Sequence, residues 1–568
     1  MLDRPSRPAN LAGRYGGFCF LANNYNGADA MIGTIILILI GLWIAGVVPV
    51  PWSTGGPIFQ FLFGDFIAFG EKYDINAVLR AWRPWIGWGL VALSALRLRG
   101  LIWWPLRHAY WLRRLFGGRV FGKARWARLR DLRRAGLTQP GGLFLGRARG
   151  VDLYHSGEGH IMTIGGTGGG KSSGLVIPTL CELTEGAVIV TDPSGELAAM
   201  TARRRAQIGP VVFLNPFASV FEKDTGVAYP DDGFNPLSVL DPKSPNFITD
   251  TNALARLLMV GDRRESGSYW NDEGAEFLAL MIASIKLYDA PDLHNLAFLY
   301  RVVRDTPENI AQRLEWIEDE GHPALQDDAT RFAALTKIHA QWAGVISKAA
   351  LATKRYAPST PLGEHVAKDG FDASRLKTEK VTVFILVPPS MLAVALPWLN
   401  TLIGVFGMAI GQPGPRRPVT MLIDEAPSLG FLPDLRAHMA QFRKVGLRTW
   451  LFTQTYAAMA GPELYGSEGM KELMGLCNTK QFFAVDESEV QKLVSELAGT
   501  RSVSNPSSTG STGDVGLPLI RPDEVRGLKQ WHQIIIRTGL RFPIRAKLVP
   551  YFTRKKWRDL VDPNPYRK

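Results

Sequence analysis

A glycine-rich loop at residues 165–172 has the residue types and spacing of a phosphate-binding turn. It reads GGTGGGKS, follows the largely apolar run 160–164 and precedes a helical pattern. Glycines let backbone N–H groups approach phosphates, and the following helix adds the positive end of its dipole. Lys171 is expected to reach the β- and γ-phosphates, and Ser172 to coordinate Mg²⁺. The expected nucleotide contacts are Gly165, Gly166, Thr167, Gly168, Gly169, Gly170, Lys171, Ser172 and Ser173.

A pair of carboxylates follows a second apolar strand pattern. Residues 419–425 read VTMLIDE, so Asp424 and Glu425 come at the end of a buried strand. Two acids there are costly unless a metal or a water-filled site uses them. We expect Asp424 to hold the Mg²⁺ shell and Glu425 to polarise the attacking water. A solvated pair at a strand end is the alternative.

Two further strand patterns end in polar residues. The strand 449–453 ends at Gln454, which is expected to contact the γ-phosphate or the lytic water; a capping role is the alternative. The run 187–191 ends at Asp192, close behind the first helix. Because ligands of open α/β sheets collect at the carboxyl ends of strands, we assign Asp192 to the surroundings of the nucleotide. A plain turn with a helix cap is the alternative.

The elements that must position these residues alternate along the chain. From about residue 150, apolar runs are separated by Gly/Pro-rich turns and helical patterns, which predicts the α/β class with a parallel sheet. Residues 246–375 show helical spacing almost throughout and interrupt the strand patterns. We therefore expect the sheet to be built from residues 151–245 and 376–555.

The motifs together resemble the TraG-type coupling ATPases of type IV secretion and conjugation. One departure is visible: where the family often has lysine in a DPKGE-type segment, this chain has Ser194, so any phosphate or DNA contact of that lysine is in doubt. The combination of segments carries the resemblance: TIGGTGGGKSSGLVIPTL (163–180), TDPSGEL (191–197), GFNPL (233–237), SYWNDEGAEFL (268–278), LIDEAPSLG (422–430), FTQTYAAM (452–459) and RPDEVRGL (521–528).

The resemblance implies a RecA-like P-loop NTPase with an all-α domain inserted at 246–375 and an N-terminal transmembrane hairpin. It further implies a hexameric motor that uses ATP and Mg²⁺ at the bacterial inner membrane. The cargo would be single-stranded DNA with its relaxase, protein effectors, or both, delivered to the type IV secretion channel. In such rings an arginine from the neighbour completes the site. Arg443 lies where the family arginine is suspected, Arg448 is the second choice, and an ion-paired surface arginine is the alternative.

Two apolar runs near the amino terminus predict the hairpin at residues 31–100. The first span is expected at about 32–50, where a signal peptide is the weaker alternative because polar residues precede it and no small-residue cleavage site follows. The second is expected at about 80–98, with an interfacial or core helix as the alternative. Residues 1–30 would form a cytoplasmic tail, and the short intervening segment 51–76 would lie outside.

A basic linker, residues 101–150, is expected to follow the second span. Its basic charges begin at the end of the second span, with Arg97 and Arg99. By the positive-inside rule they place this segment on the cytoplasmic side of the membrane. They could hold anionic lipid head groups, our default, or line the path of a nucleic acid. These charges are Arg97, Arg99, Arg107, Arg113, Arg114, Arg119, Lys123, Arg125, Arg128, Arg130, Arg133 and Arg134.

Composition sets the outer limits of the interpretation. The 568 residues are 46% hydrophobic and 21% charged, which excludes global disorder, and a net charge of +13 favours an anionic partner. The three cysteines form no CxxC pair, so a disulfide framework is unlikely to be the scaffold. The Ser/Gly/Thr-rich residues 499–515 indicate a mobile loop, and 556–568 a basic tail. Rivals to a DNA pump are a coupling ATPase for protein effectors only, a nucleotide-switched membrane receptor and a chromosome-partitioning pump.

Overall fold

A computed structural model describes residues 36–40, 84–94, 121–259, 269–415, 417–506 and 512–566. The chain divides into two compact units, Met1–Arg119 and Val120–Lys568. In the first unit, residues 36–40 and 84–94 are helical and carry exposed apolar side chains, among them Leu39, Trp85 and Trp88. The remainder of the predicted spans at 32–50 and 80–98, and the tail at 1–30, lie outside the described residues.

A mixed sheet of eleven strands forms the centre of the second unit. Their order is β2-β1-β13-β12-β9-β3-β8-β7-β4-β6-β5, and β10 and β11 form a separate hairpin. The strands are β1 (Leu143–Ala148), β2 (Val151–His155), β3 (His160–Gly165), β4 (Ala187–Thr191), β5 (Val211–Leu214), β6 (Thr382–Ile385), β7 (Val419–Ile423), β8 (Leu447–Thr453), β9 (Cys477–Phe483), β10 (Thr500–Pro506), β11 (Thr512–Pro518), β12 (His532–Arg537) and β13 (Ile544–Lys547).

The sheet has a parallel part and an antiparallel part. The strands from β9 to β5 in this order all run parallel, whereas β12, β13, β1 and β2 continue the sheet in antiparallel pairs. β3, β4, β7 and β8 are buried along their whole length. Their near-continuous apolar sequences follow from burial on both faces. The α/β class predicted from the sequence is confirmed.

Helices cover both faces of the sheet. Successive strand residues point to opposite faces, so Ile189 lies in one hydrophobic core while Val188 and Val190 lie in the other. The helices are α1 (Leu129–Arg134), α2 (Ile177–Glu182), α3 (Glu196–Ala206), α4 (Ala218–Thr225), α5 (Phe247–Met259), α6 (Tyr269–Tyr288), α7 (Leu296–Val303), α8 (Pro307–Glu320), α9 (Pro323–Thr336), α10 (His339–Thr353), α11 (Pro361–Ala367), α12 (Arg375–Thr378), α13 (Leu392–Gly411), α14 (Leu435–Phe442), α15 (Tyr456–Ala460), α16 (Gly466–Leu476), α17 (Ser488–Ala498), α18 (Pro522–Arg526) and α19 (Lys555–Arg558).

The helices α5 to α12 all lie between β5 and β6 in the chain. They share a hydrophobic core with the sheet, since Phe277 of α6 and Val383 of β6 belong to one buried cluster. The sheet itself begins at Leu143, within the residues 101–150 that the sequence analysis treated as a linker. Leu143, Phe144 and Leu145 are fully buried there, and these apolar side chains account for the strand.

One helix in the described part of the chain, Pro389–Gly411, is long and apolar enough to cross a membrane. Its mean hydropathy is 1.7, and 67% of its most apolar stretch is buried inside the fold. The helical part, α13, packs against α5 and α14. The apolar sequence is therefore explained by its place in the core.

Two segments near the carboxyl end differ from the sequence expectation. The mobile loop predicted for 499–515 is wrong, because β10 and β11 pair in an antiparallel hairpin from Thr500↔Pro518 to Pro506↔Thr512. The basic tail is packed against the body: Trp557 is fully buried and Arg203 forms an ion pair with Asp562 at 2.8 Å. Arg554 forms a bidentate ion pair with Asp152.

Candidate functional site

The glycine loop connects the carboxyl end of β3 to a helical segment. A π-helical turn, Ser172–Val176, leads directly into α2. Gly168 and Gly170 have φ values of 69° and 90°, a region that favours glycine. A Cβ added to Gly170 would lie 2.2 Å from the Trp531 ring, whereas one on Gly168 would meet nothing within 4 Å. The loop is thus closed by side chains on one side and open on the other.

Lys171 lies across the mouth of this loop. Its Nζ donates to the Gly165 carbonyl at 3.0 Å and is 3.8 Å from Glu425 Oε2. Burial lowers the pKa of Lys171, while the carboxylates of Glu425 and Asp424 oppose that shift. The two carboxylates thus offset part of the cost of burying the ammonium, at the point where the sequence predicts phosphate contact.

Glu425 and Gln454 are brought together by the strand order. β8 lies between β3 and β7, so Gln454, after β8, stands between the loop and the carboxylates that follow β7. Gln454 Nε2 donates to Glu425 Oε2 at 2.8 Å, and the Thr167 hydroxyl donates to Gln454 Oε1 at 2.5 Å. Glu425 itself has a left-handed backbone, φ 56°, which is strained for a non-glycine residue.

Two neighbouring carboxyl groups, those of Asp192 and Asp424, have raised pKa values. Burial raises the pKa of Asp424 to about 6, against the attraction of Lys171. Burial raises the pKa of Asp192 to about 7; a hydrogen bond from the Ala198 N–H opposes this rise, and the charge of Asp424 adds to it. The carboxylate of Asp192 accepts this hydrogen bond from the Ala198 N–H, near the start of α3, at 2.8 Å. This hydrogen bond is what the alternative of a turn with a helix cap predicts for Asp192. The same carboxyl group also interacts with the charge of Asp424.

The donor set fits a magnesium ion. Asp192 and Asp424 offer two carboxyls for one nearby ammonium, and a divalent cation neutralises such an excess. The Ser172 hydroxyl and the Asp424 carboxylate are oxygen ligands, the kind that Mg²⁺ prefers. Among the described residues no group of three or more His, Cys, Asp or Glu side chains could hold a metal ion. Phosphate oxygens and water would have to complete the coordination.

A cavity of about 380 Å³ adjoins the loop and contains residues that the sequence analysis missed. Gln530, Trp531 and Phe552 line it together with the loop and Glu196. The Trp531 and Phe552 rings make an edge contact at 6.4 Å. These residues follow the RPDEVRGL segment but show no periodic pattern. Trp531 directly precedes β12, and Phe552 follows β13. Both places lie toward the carboxyl end of β3, because β12 runs antiparallel to β9 and β13 runs antiparallel to β12.

Neither of the two candidate arginines, Arg443 and Arg448, lies in the glycine loop. Arg443 is exposed and precedes β8, at the opposite end of that strand from Gln454. Arg448 is only 6% exposed, and its Nη2 donates to the Thr420 hydroxyl at 2.8 Å. Burial lowers the pKa of Arg448 to about 10. Arg448 is thus held within its own sheet, and the second choice of the sequence analysis stays a prediction.

Ser194, the departure from the family pattern, has local partners. Its hydroxyl donates to Asp192 Oδ1 at 3.2 Å and accepts from the Glu196 N–H at 3.3 Å. The Tyr566 hydroxyl donates to the Ser194 carbonyl. Asn564 also contacts Glu196, so the end of the described chain borders the cavity.

Comparisons with known proteins agree with this arrangement. Residues 125–565 match the family model described as type IV secretory system conjugative DNA transfer. The coupling protein VirD4 of Bartonella quintana is 24% identical over 437 residues, which cover 72% of this chain and 65% of that protein. This chain therefore spans slightly less than two thirds of that relative. The conjugal transfer protein TraG of Escherichia coli is 25% identical over 464 residues, 71% of each chain.

Solved structures show the same fold. The conjugative coupling protein TrwB, in an unbound form, has a TM-score of 0.56 and 18% identity, covering 76% of this chain and 96% of that one. TrwB has also been solved with the ATP analogue ADPNP and with ADP and Mg²⁺.

Proposed function

Because this chain belongs to the type IV secretory family for conjugative DNA transfer, we propose that it is an ATP-hydrolysing coupling protein. It recruits DNA or nucleoprotein and pumps it to a secretion channel. The observation that carries the proposal is the linked set Thr167–Gln454–Glu425–Lys171 at the glycine loop. The names of the VirD4 and TraG relatives, and the nucleotides held by TrwB, support it.

Each residue of the set has a role that its contacts support. Lys171 donates to the β- and γ-phosphates, and the loop N–H groups from Gly166 to Ser173 hold the remaining oxygens. Glu425 accepts a proton from the attacking water. The hydrogen bond that Gln454 donates to Glu425 orients this carboxylate. Mg²⁺, held by Ser172 and Asp424, would neutralise charge that develops on the phosphates. Trp531 and Phe552 offer apolar surfaces to the base.

Arg443 is proposed to act on the nucleotide of a neighbouring subunit. Its exposure and its distance from its own loop support this: β8 alone is about 20 Å long by the usual rise per residue. A homo-hexameric ring, in which the nucleotide lies between subunits, would bring Arg443 of one copy to the loop of the next. We propose this ring with a RecA-like motor domain and the α5–α12 insertion as the cargo-facing part.

The proposal places the motor at the bacterial inner membrane. A cytoplasmic tail (1–30) and two spans (32–50 and 80–98) would anchor it, followed by the basic residues that precede the first strand at Leu143. The exposed apolar side chains of the two short described helices support such spans. The partners are then single-stranded DNA with a relaxase, protein effectors, or both, and the secretion channel.

Replacement of Glu425 by Gln tests the proposal. The carboxamide keeps the shape but accepts no proton, so ATP binding should persist while hydrolysis falls by about 10²–10³-fold. Conjugal transfer should be lost with it. The matched control, Glu496→Gln on the exposed side of α17, should change neither. Transfer that survives in Glu425→Gln would favour the nucleotide-switched receptor instead.

Cargo is tested by the ATPase response of the full chain. Single-stranded DNA should stimulate hydrolysis, and the stimulation should fall steeply with added salt because phosphate contacts release counterions. A chain that responds to a protein effector and not to DNA would support the effector-only alternative. Arg443→Ala should remove the stimulated rate while leaving nucleotide binding to each subunit.

A further inference from the structure

A second cavity, of about 590 Å³, lies on the antiparallel part of the sheet and shares no lining residue with the nucleotide cavity. No acidic side chain lines it. The side chains that define it are one indole and five basic groups: Trp126, Arg147, Arg149, His532, Arg545 and Lys547.

The sheet register sets two of these cations side by side. Arg147 on β1 is directly opposite Lys547 on β13, and Lys547 is directly opposite His532 on β12. Side chains in such cross-strand pairs lie close together, and like charges there are destabilising. Arg545 extends the row two residues along β13, where exposed and buried side chains alternate. The row opposes folding unless an anion offsets it.

One acid, Asp152, offsets only part of this positive charge. Asp152 is the carboxylate nearest to Arg147, at 3.9 Å, but both of its oxygens accept hydrogen bonds from Arg554. Within the described part of the chain, neither Arg545 nor Lys547 has an ion-pair partner, and both are exposed. Their ammonium and guanidinium groups remain available to a ligand.

The turn between β1 and β2 brings in another cation at a conformational cost. Arg149 and Gly150 have φ values of 52° and 83°, and such two-residue hairpin turns favour Asn, Asp or Gly at the first position. Arg149 Nε donates to the Ala127 carbonyl at 3.3 Å, which holds the side chain beside the cavity. An arginine in this strained position is consistent with a functional use of its charge.

We propose that this cavity binds a phosphate group, carried by an anionic phospholipid headgroup or by a soluble phosphate compound. Several converging cations match the oxygens of a phosphate, and arginine in particular can bind it through two N–H groups. The cavity has the size of a small-ligand site. It has one aromatic wall, Trp126, whereas a groove for single-stranded nucleic acid typically offers successive bases several stacking platforms.

The test uses the full chain with Arg545→Ala and Lys547→Ala combined. Two probes are measured: phosphatidylglycerol adducts by native mass spectrometry, with phosphatidylcholine as comparison, and labelled pyrophosphate by equilibrium dialysis in a Lys171→Ala background. Loss of two charged hydrogen-bond donors should weaken binding of at least one probe by about tenfold or more. The control Lys555→Ala with Arg558→Ala removes the same two charges from exposed positions on α19 and should leave binding unchanged.

The probe that responds identifies the source of the phosphate. Loss of the phosphatidylglycerol adducts indicates a lipid headgroup, and loss of pyrophosphate binding alone indicates a soluble compound. The exchanged variant, Arg545→Lys with Lys547→Arg, keeps both charges and should retain binding. Unchanged binding of both probes in the double alanine variant would overturn the proposal. A labelled single-stranded oligonucleotide is titrated against the same variants, and a loss of binding confined to it would also overturn the proposal and indicate a nucleic-acid surface.

Discussion

The pKa values of carboxyl groups are shifted in opposite directions at the parallel and the antiparallel part of the sheet. At the carboxyl ends of the parallel strands, burial raises the pKa of Asp192 and of Asp424. Beside the antiparallel strands, hydrogen bonds from Arg125 lower the pKa of Asp131 to about 2. Burial raises the pKa of Asp152, but Arg554 outweighs it and the net shift is downward.

This difference follows from strand direction. Parallel strands bring all their carboxyl ends to one edge, so polar residues that follow different strands converge in a buried place. Antiparallel strands can leave one face in contact with water, so their charges lie along the strand and pair or stay exposed. Chemistry is therefore expected at the edge of the first region and ligand contact on the face of the second.

Lys171→Ala gives the largest expected effect and tests whether hydrolysis belongs to the parallel part alone. Removing the donor that we propose to contact the transferred phosphoryl group should lower the ATPase rate by about 10²–10³-fold. Lys547→Ala, a lysine on the antiparallel part, should leave that rate unchanged. Steady-state ATP turnover of both full-chain variants is the measurement. Equal losses in the two variants would erase the distinction between the regions.

The pH dependence of unfolding should differ in sign between buried and paired carboxyls. The folded pKa of Asp192 is about 7, above the ordinary value of 3.8, so its stabilising contribution is present below pH 3.8 and lost as pH rises through 7. As the pH rises from 5 to 8, the free energy of unfolding of Asp192→Asn should therefore increase by about 2–3 kcal/mol relative to that of the wild type.

Asp131→Asn is the matched control for this pH experiment. The folded pKa of Asp131 is about 2, below 3.8, so its contribution is present above pH 3.8 and lost as pH falls toward 2. The free energy of unfolding of this variant should be lower than that of the wild type by about 1 kcal/mol or less, and this difference should stay constant from pH 5 to pH 8. Denaturant unfolding at four pH values, without nucleotide or Mg²⁺, measures both. Parallel slopes for the two variants would contradict the comparison.

Gly170→Ala tests the contact by which the antiparallel part closes the glycine loop. The added methyl group would meet the Trp531 ring at 2.2 Å and force alanine to a φ of 90°. We expect a loss of about 2 kcal/mol in unfolding free energy and weaker nucleotide binding. Gly168→Ala, with φ 69° and open space around the methyl group, should lose about 1 kcal/mol. Equal losses would mean that Trp531 does not constrain the loop.

The sequence predicted the two parts of the sheet unequally well. Runs 160–164, 187–191 and 419–423 are mostly apolar because parallel strands are buried on both faces. Each run lies within a strand of the structure. The same runs located Lys171, Asp424 and Glu425. On the antiparallel part, the strand patterns at 533–537 and 544–548 correspond to β12 and β13. β1 is short, carries the exposed Arg147 and pairs with the distant β13, so no local pattern marked it. Trp531 and Phe552 were missed for the same reason.

Gln481→Met gives the smallest expected effect and tests the junction between the two parts. Gln481 on β9 accepts from the Thr163 hydroxyl at 2.9 Å and donates to Gln533 Oε1 on β12 at 2.9 Å. Both glutamines also donate to the Leu145 carbonyl on β1, and all of these groups are buried. The hydrogen bonds thus run from the strand of the glycine loop across to the antiparallel strands.

Methionine fills similar space but leaves Gln533 Oε1 without its donor, so we expect a loss of about 1 kcal/mol in unfolding free energy. Denaturant unfolding of the full chain measures it, with Gln341→Met on the exposed side of α10 as the neutral control. Combining Gln481→Met with Gln533→Met should recover part of the loss, because an apolar pair leaves fewer unsatisfied groups. A double variant that loses the sum of the single losses would show that the two glutamines act separately and do not join the two parts of the sheet.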